Sequence, residues 1–243
     1  MSPDERDAAG DPNLVLPSPE ASPDAARAVV SELLGTCLLV ATVIGSGIFA
    51  TRLTPDDVGL QLLYNTLATV FVLYALIIAL QPVSASFNPV VTLVEAMLGA
   101  ISWARAAQLA VAQVVGGVLG ACLAHLMFDE ALLQISTKAR DGLGQYVGEA
   151  TATAGLVIVI LATVRSGRQD RVAAGVAAWI GAAYWATSST SFANPAVTIA
   201  RAFSDTFAGI SPGDVPAFVL VQIVAGAAAG LLARWLFVDR AAA

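Results

Sequence analysis

An all-α membrane protein, with six transmembrane helices plus two re-entrant half-helices built as an inverted repeat, is the fold class the sequence predicts, and three observations predict it. Of the 243 residues, 57% are hydrophobic and only 12% charged, whereas about a quarter of a soluble domain is charged. Apolar stretches fall at roughly 28–50, 59–80, 104–127, 144–164, 172–190 and 216–238, each close to the about 20 residues that cross a bilayer as a helix. The two halves of the chain also carry the same polar landmarks in the same order.

Taken in order, residues 1–27 read as an acidic, Pro-rich tail, with Asp4, Glu5, Asp7, Asp11, Glu20 and Asp24 among Pro, Ala and Ser. Such a composition cannot bury a core and is expected to be disordered. It lacks the basic start and short apolar run of a signal peptide. Residues 28–240 form one domain, with repeats over about 28–127 and 144–238. Cys37 and Cys122 lie inside predicted spans with no second thiol nearby in the chain, so neither a disulfide nor a zinc framework is expected. The single histidine, His125, is expected at an interface. Trp103, Trp179, Trp185 and Trp235 read as interface anchors, and glycines 116, 117, 120, 226 and 230 sit at the small-xxx-small spacing of close helix contacts in lipid.

Loop charges predict the orientation. Arg165, Arg168 and Arg171 crowd the link between spans four and five, and Arg234 and Arg240 flank the last span. By the positive-inside rule both termini are cytoplasmic, with Arg52, Lys138 and Arg140 dissenting on the outer side.

The repeat is explicit at two motifs. Ser86-Phe87-Asn88-Pro89-Val90-Val91-Thr92 returns as Ser191-Phe192-Ala193-Asn194-Pro195-Ala196-Val197-Thr198, with one extra residue before the second Asn. Glu32 with Thr36 is echoed by Glu149 with Thr153, and Gln113 with Gly116-Gly117 by Gln222 with Gly226. Three spans per repeat is an odd number, so the second copy enters the membrane from the opposite side. Inverted repeats with discontinuous helices place transport sites near the midplane.

Asn is a favoured helix N-cap and Pro a favoured first residue. Each motif therefore starts a helix, and the apolar runs after Pro89 and Pro195 are too short to span. Two half-helices whose capped N-termini abut at mid-membrane follow, and irregular backbone at that depth must line a cavity or be buried in protein. Glu32 and Glu149 are carboxylates within spans, at about 3 kcal/mol each on insertion scales, and need hydrogen-bond partners.

The paired Asn-Pro motifs, the repeated Glu-x-x-x-Thr and the Gln-x-x-Gly resemble the major intrinsic proteins, the aquaporins and aquaglyceroporins, over nearly the whole chain after residue 27. The resemblance implies an aquaporin-like fold, a homotetramer with one pore per subunit, and passive passage of small neutral solutes through the bilayer. It implies that Asn88 and Asn194 meet at mid-pore and that Glu32 and Glu149 hold the re-entrant loops. Asn88, Pro89, Val90, Asn194, Pro195 and Ala196 are then the pore motifs. Most relatives carry an Arg after the second Asn-Pro-Ala, where this chain has Val197. Ungapped spacing from the two Asn residues carries the selectivity filter to Ala68, Ala182, Ser191 and Val197, a wide mouth without a fixed cation. Arg201, one turn on, either reaches back towards that mouth or faces the loop or interface.

The stretch from Ala193 to Arg201, with Ser204-Asp205-Thr206-Phe207, is similar to bacterial aquaporins associated with arsenic-resistance operons, which implies arsenous acid, methylated arsenicals, glycerol-like solutes and some water as permeants of a bacterial inner membrane channel. A general aquaglyceroporin or water channel, and an ion-coupled secondary transporter, are the competing readings. No placed nucleophile and base, metal-ligand set or phosphate loop points to an enzyme or a cofactor, and nucleic acid is an unexpected partner for so acidic a chain.

Overall fold

The computed structural model describes residues 25–237, so the predicted tail lies almost wholly outside the described residues. Regular structure among them is entirely helical: α1 Ala25–Leu53, α2 Val58–Leu80, α3 Pro89–Met97, α4 Trp103–Met127, α5 Leu143–Arg165, α6 Val172–Ala186, α7 Pro195–Arg201 and α8 Val215–Leu236, with one 3₁₀ turn at Gln169–Arg171. Local chemistry sets many of the starts. Asp57 accepts from Leu60 N (2.9 Å) at α2, Ser102 from Arg105 N (3.1 Å) at α4, and Asn88 and Asn194 cap α3 and α7 with Pro at the first helical position. Each cap satisfies a backbone donor that the first helical turn leaves unpaired.

Five helices, α1, α2, α4, α5 and α8, are long and apolar enough to cross a membrane. The fifth predicted span, at 172–190, is shorter than expected. α6 has 15 residues, a rise of about 22 Å, and ends at Ala186 rather than near residue 190. Thr187 turns extended, and Thr190, Ser191 and Ala193 adopt left-handed backbone (φ 58°, 53° and 48°). The serine and threonine residues after Ala186 form the lead-in to α7, where other chain segments take up their backbone groups.

The repeat symmetry is realised in the packing. α1 runs against α4, and its counterpart α5 against α8, while α2 meets α6 across the two halves and α3 and α7 touch at the centre. The glycines predicted for close contact are at these seams. A Cβ on Gly116 or Gly120 would run into the Leu33 or Cys37 carbonyl of α1, and one on Gly117 would lie 3.1 Å from the Ala196 carbonyl oxygen of α7. Gly226 and Gly230 of α8 face Val90 and Val94 of α3 in the same way. Without a hydrophobic driving force between helices in lipid, such backbone proximity supplies the packing energy.

Two sequence expectations are corrected here. Trp103, Trp185 and Trp235 are exposed, as anchors would be, but Trp179 is half-buried against α5, its ring against Gly155 and its Nε1 donating to Ala152 O (2.8 Å). His125 is fully buried, with Nδ1 on Leu132 O and Nε2 on Ser204 Oγ, both 2.9 Å. Since a carbonyl only accepts, Nδ1 carries the proton, and His125 staples the α4–α5 connection to the chain after α7. Both thiols are free.

Gly116→Val should separate α1 from α4, because the nearest atom is backbone and cannot rotate away. A loss of about 1–3 kcal/mol is expected for this overpacking, read as a lowered midpoint of unfolding in detergent. An unchanged midpoint would show that the seam is not tightly packed.

Candidate functional site

The two asparagines do the same thing from opposite sides. Asn88 Oδ1 accepts from Val90 N (2.9 Å) and so caps α3, while its Nδ2 donates to Ala193 O (2.7 Å), next to the other motif. Asn194 Oδ1 accepts from Ala196 N (2.9 Å) and Val197 N (3.3 Å), capping α7, while its Nδ2 donates to Phe87 O (2.7 Å). Oxygen to donor and nitrogen to carbonyl leaves one orientation for each amide. Each Nδ2 has two N–H groups, and one remains free of these contacts. Both side chains are buried, at 4% and 5% exposure.

For those carbonyls to face the opposite Asn, Phe87 and Ala193 take left-handed backbone (φ 49° and 48°), which costs a non-glycine residue on the order of 1–3 kcal/mol. The intramembrane glutamates hold them there. Glu32 accepts from Phe87 N (2.6 Å), Ser86 N (2.8 Å), Ser84 Oγ (2.5 Å) and Gln113 Nε2 (2.8 Å). Glu149 accepts from Ala193 N, from Phe192 N (3.2 Å) and from Gln222 Nε2 (2.6 Å). Gln113 and Gln222 each donate a second bond to the half-helix, to Thr92 Oγ1 (2.9 Å) and Thr198 Oγ1 (2.8 Å). A carboxylate receiving two backbone N–H groups and an amide is satisfied at zero exposure. The glutamines stood out in the sequence only as repeat landmarks; their pairing with threonines four residues after each Asn did not, although the spacing repeats.

The predicted filter positions divide. Ser191 and Val197 are buried beside the second motif, and Ser191 Oγ has no hydrogen-bond partner among the described residues. Ala182, in contrast, belongs to the exposed stripe of α6 with Ala174, Ala178 and Trp185, while Ala183 and Tyr184 turn inward. Ala68 is half-buried at the flank of α2, and its neighbour Thr69 lies on the interior stripe with Asn65 and Leu73. Thr69 Oγ1 donates to Asn65 O (2.8 Å), so Tyr184 Oη donates to Thr69 Oγ1 (3.1 Å). The two carried-over helix positions, Ala68 and Ala182, thus lie on more exposed faces than the second-motif positions Ser191 and Val197.

Val90, expected at the pore, is fully buried against Val94, Val157 and Ala229, with Gly226 making room for its extra methyl groups. Its departure from Ala is a packing matter between α3, α5 and α8. Ala196 is likewise fully buried. Arg201 does not reach an interface: it is 3% exposed, donates from Nε to Ala208 O and lies 3.4 Å from the Phe192 ring centroid.

Several polar groups near the pore motifs were not singled out as site residues in the sequence. Ser86 Oγ donates to both oxygens of Glu95 (3.0 and 3.3 Å) at the α3 end. At the α7 end, Arg140 is buried with Nε on Gly209 O (2.8 Å) and Nη1 on Ser189 O (3.2 Å). Burial pulls its guanidinium down to about 10, against the opposing pull of Glu149 and Tyr184. Half-buried Lys138 is brought down to about 8 by burial and by the charges of Arg140 and Arg201. No His, Cys, Asp and Glu cluster able to hold a metal occurs among the described residues.

Glu149→Gln keeps the shape but turns an NH2 group towards backbone donors. About 1–3 kcal/mol is expected for each N–H left unpaired, with solute flux reduced at least fivefold. Detergent unfolding and stopped-flow light scattering of proteoliposomes read the two effects; a variant with native stability and flux would remove Glu149 from the brace.

Residues 20–191 match the family model described as major intrinsic protein. Aquaglyceroporin AqpS of Rhizobium meliloti (strain 1021) is 49% identical over 214 residues, 88% of this chain and 91% of that protein. The X-ray structure of the aquaglyceroporin from Plasmodium falciparum superposes with a TM-score of 0.63 at 19% identity, covering 90% of this chain and 97% of that one, a likeness of fold. With the paired capped half-helices already in place, these matches settle the family: the chain belongs to the major intrinsic proteins and is a multi-pass membrane channel for small solutes rather than an enzyme.

Proposed function

We propose that the channel passes neutral solutes larger than water, arsenous acid, methylated arsenicals and glycerol-like polyols among them, with some water. The observation that carries this reading is Val197. It occupies the first turn of α7, its N–H on Asn194 Oδ1, with an apolar side chain at the place where most relatives present a guanidinium. An isopropyl group offers neither the bulk nor the fork of donors of an arginine, so the constriction is wider and less polar. In this reading Tyr184, which shares a buried cluster with Val197 and Leu73, and buried Thr69, which is hydrogen-bonded to Tyr184 Oη, replace Ala182 and Ala68 in the filter, with Ser191 as the fourth member. The relative named an aquaglyceroporin supports solutes of polyol size.

At the centre, each Asn has an N–H left for a passing oxygen. The abutting N-termini of α3 and α7 carry partial positive charge, which opposes cations and orients water so that a proton wire is broken. We place the protein in a bacterial inner membrane with both termini cytoplasmic, as a homotetramer. The orientation is favoured because the three dissenting cations are engaged: Arg52 pairs with Glu130 (2.9 Å) and lies over Phe128, and Lys138 and Arg140 bond backbone carbonyls.

Val197→Arg should cut glycerol and arsenous acid permeability at least fivefold while leaving water permeability less affected. Stopped-flow shrinkage of proteoliposomes, with direct arsenic uptake alongside, measures this. Equal permeabilities in the two proteins would contradict the filter assignment.

A further inference from the structure

Three consecutive carbonyls after α7 each hold one cation. Lys138 Nζ donates to Phe207 O (2.6 Å), Arg201 Nε to Ala208 O, and Arg140 Nε to Gly209 O (2.8 Å). Two of the cations also flank a single phenyl ring, Arg201 at 3.4 Å and Arg140 at 4.6 Å from the Phe192 centroid, and Lys138 lies 4.7 Å from that of Phe207. None of the three has a carboxylate within ion-pair distance among the described residues, where the one such pair is Arg52 with Glu130. The acids alongside are otherwise occupied: Asp205 takes Thr137 N (2.8 Å) and Asp214 takes Arg140 N (2.7 Å).

Burying Arg140 and Arg201 with no carboxylate in ion-pair contact, and only the more distant Glu149 to offset their charge, is costly. If these groups served only to tie the α4–α5 connection to the chain after α7, neutral donors would make the same bonds without that cost. The connection is already tied by Gln134 N to Phe203 O (3.1 Å), Ser136 N to Ala202 O (2.9 Å) and Ser211 N to Lys138 O (2.7 Å). The location gives the charge a use. Arg140 Nη1 bonds the Ser189 carbonyl two residues before Ser191, and Arg201 ends the half-helix whose first turn holds Val197. This end of α7 also presents its negative dipole end to the mouth, which by itself would draw cations in.

We propose that Lys138, Arg140 and Arg201 form a cationic collar at the α7 end of the pore and are specificity-determining residues that exclude cations from a mouth whose Val197 carries no charge. The proposal rests on the channel reading above. A guanidinium fixed by carbonyl bonds and an aromatic face keeps its charge in place, and two of these with the Lys138 ammonium at one mouth raise the local potential.

The test is the ratio of potassium to glycerol permeability in proteoliposomes, read with a potassium-sensitive dye and by light scattering, for the wild type, R140Q, R201Q, the charge-keeping R140K and R201K, and K138Q. Circular dichroism and detergent unfolding identify the folded variants. The ratio should rise at least tenfold in R140Q and R201Q, return to within about threefold of wild type in the lysine variants, and rise at least threefold in K138Q, which leaves both guanidinium cradles intact. Folded glutamine variants with the wild-type ratio would overturn the collar, and if neither arginine variant folds, a wild-type ratio in K138Q does so. A wild type that passes no glycerol defeats the channel reading instead, so the two failures are distinct.

Discussion

The structure depends on a division of labour within two amide groups. In Asn88 and Asn194 the oxygen caps its own half-helix and the nitrogen reaches the carbonyl just before the other Asn. Neither half-helix can be placed alone, since α3 has nine residues and α7 seven and isolated helices of that length are marginal. What holds them is mutual. Left-handed Phe87 and Ala193 aim the carbonyls, Glu32 and Glu149 hold the N–H groups of those same residues, and Gln113 and Gln222 tie each carboxylate to the threonine one turn into the half-helix. Backbone strain and buried charge, each costly by itself, stabilise one another here.

This arrangement explains why a neutral pore can be built from so few polar groups. The amide donors at the centre are fixed by bonds that also make the fold, so in the proposed pore a passing oxygen would meet oriented N–H groups without side-chain rearrangement. The surrounding wall is apolar and close-packed. Val90 and Val94 nest against glycines of α8, and Gly117 admits the α7 backbone to α4. The two ends are unlike: Ser86 and Glu95 lie at the α3 end, and Tyr184, Val197 and three cations near the α7 end, where we propose that selectivity resides.

Asn-Pro before a short apolar run was legible in the sequence because capping chemistry admits few other readings, and an intramembrane Glu was legible because it must find donors. The repeat then gave the inversion by parity of spans. The filter was less legible. Ala182 was placed by counting back from Asn194 through a span expected to reach residue 190, whereas the helix stops at Ala186 and backbone groups of Ser189, Phe192 and Ala193 are claimed by Arg140 and Glu149. Arg140 and Lys138 lie in a connection without periodicity, and their partners are carbonyls, which leave no mark in a sequence. Trp179 and His125 were misread because an amphipathic side chain near a span end resembles an anchor until its hydrogen-bond partner is seen.

A double-mutant cycle of Asn88→Ala and Asn194→Ala, measured as unfolding free energy in mixed detergent, tests the mutual placement of the half-helices most directly. Either single change slackens both loops, so the double variant should lose less than the sum of the singles, with a coupling of about 0.5–3 kcal/mol. Additivity within about 0.5 kcal/mol would mean that each half-helix is held independently and would contradict the account.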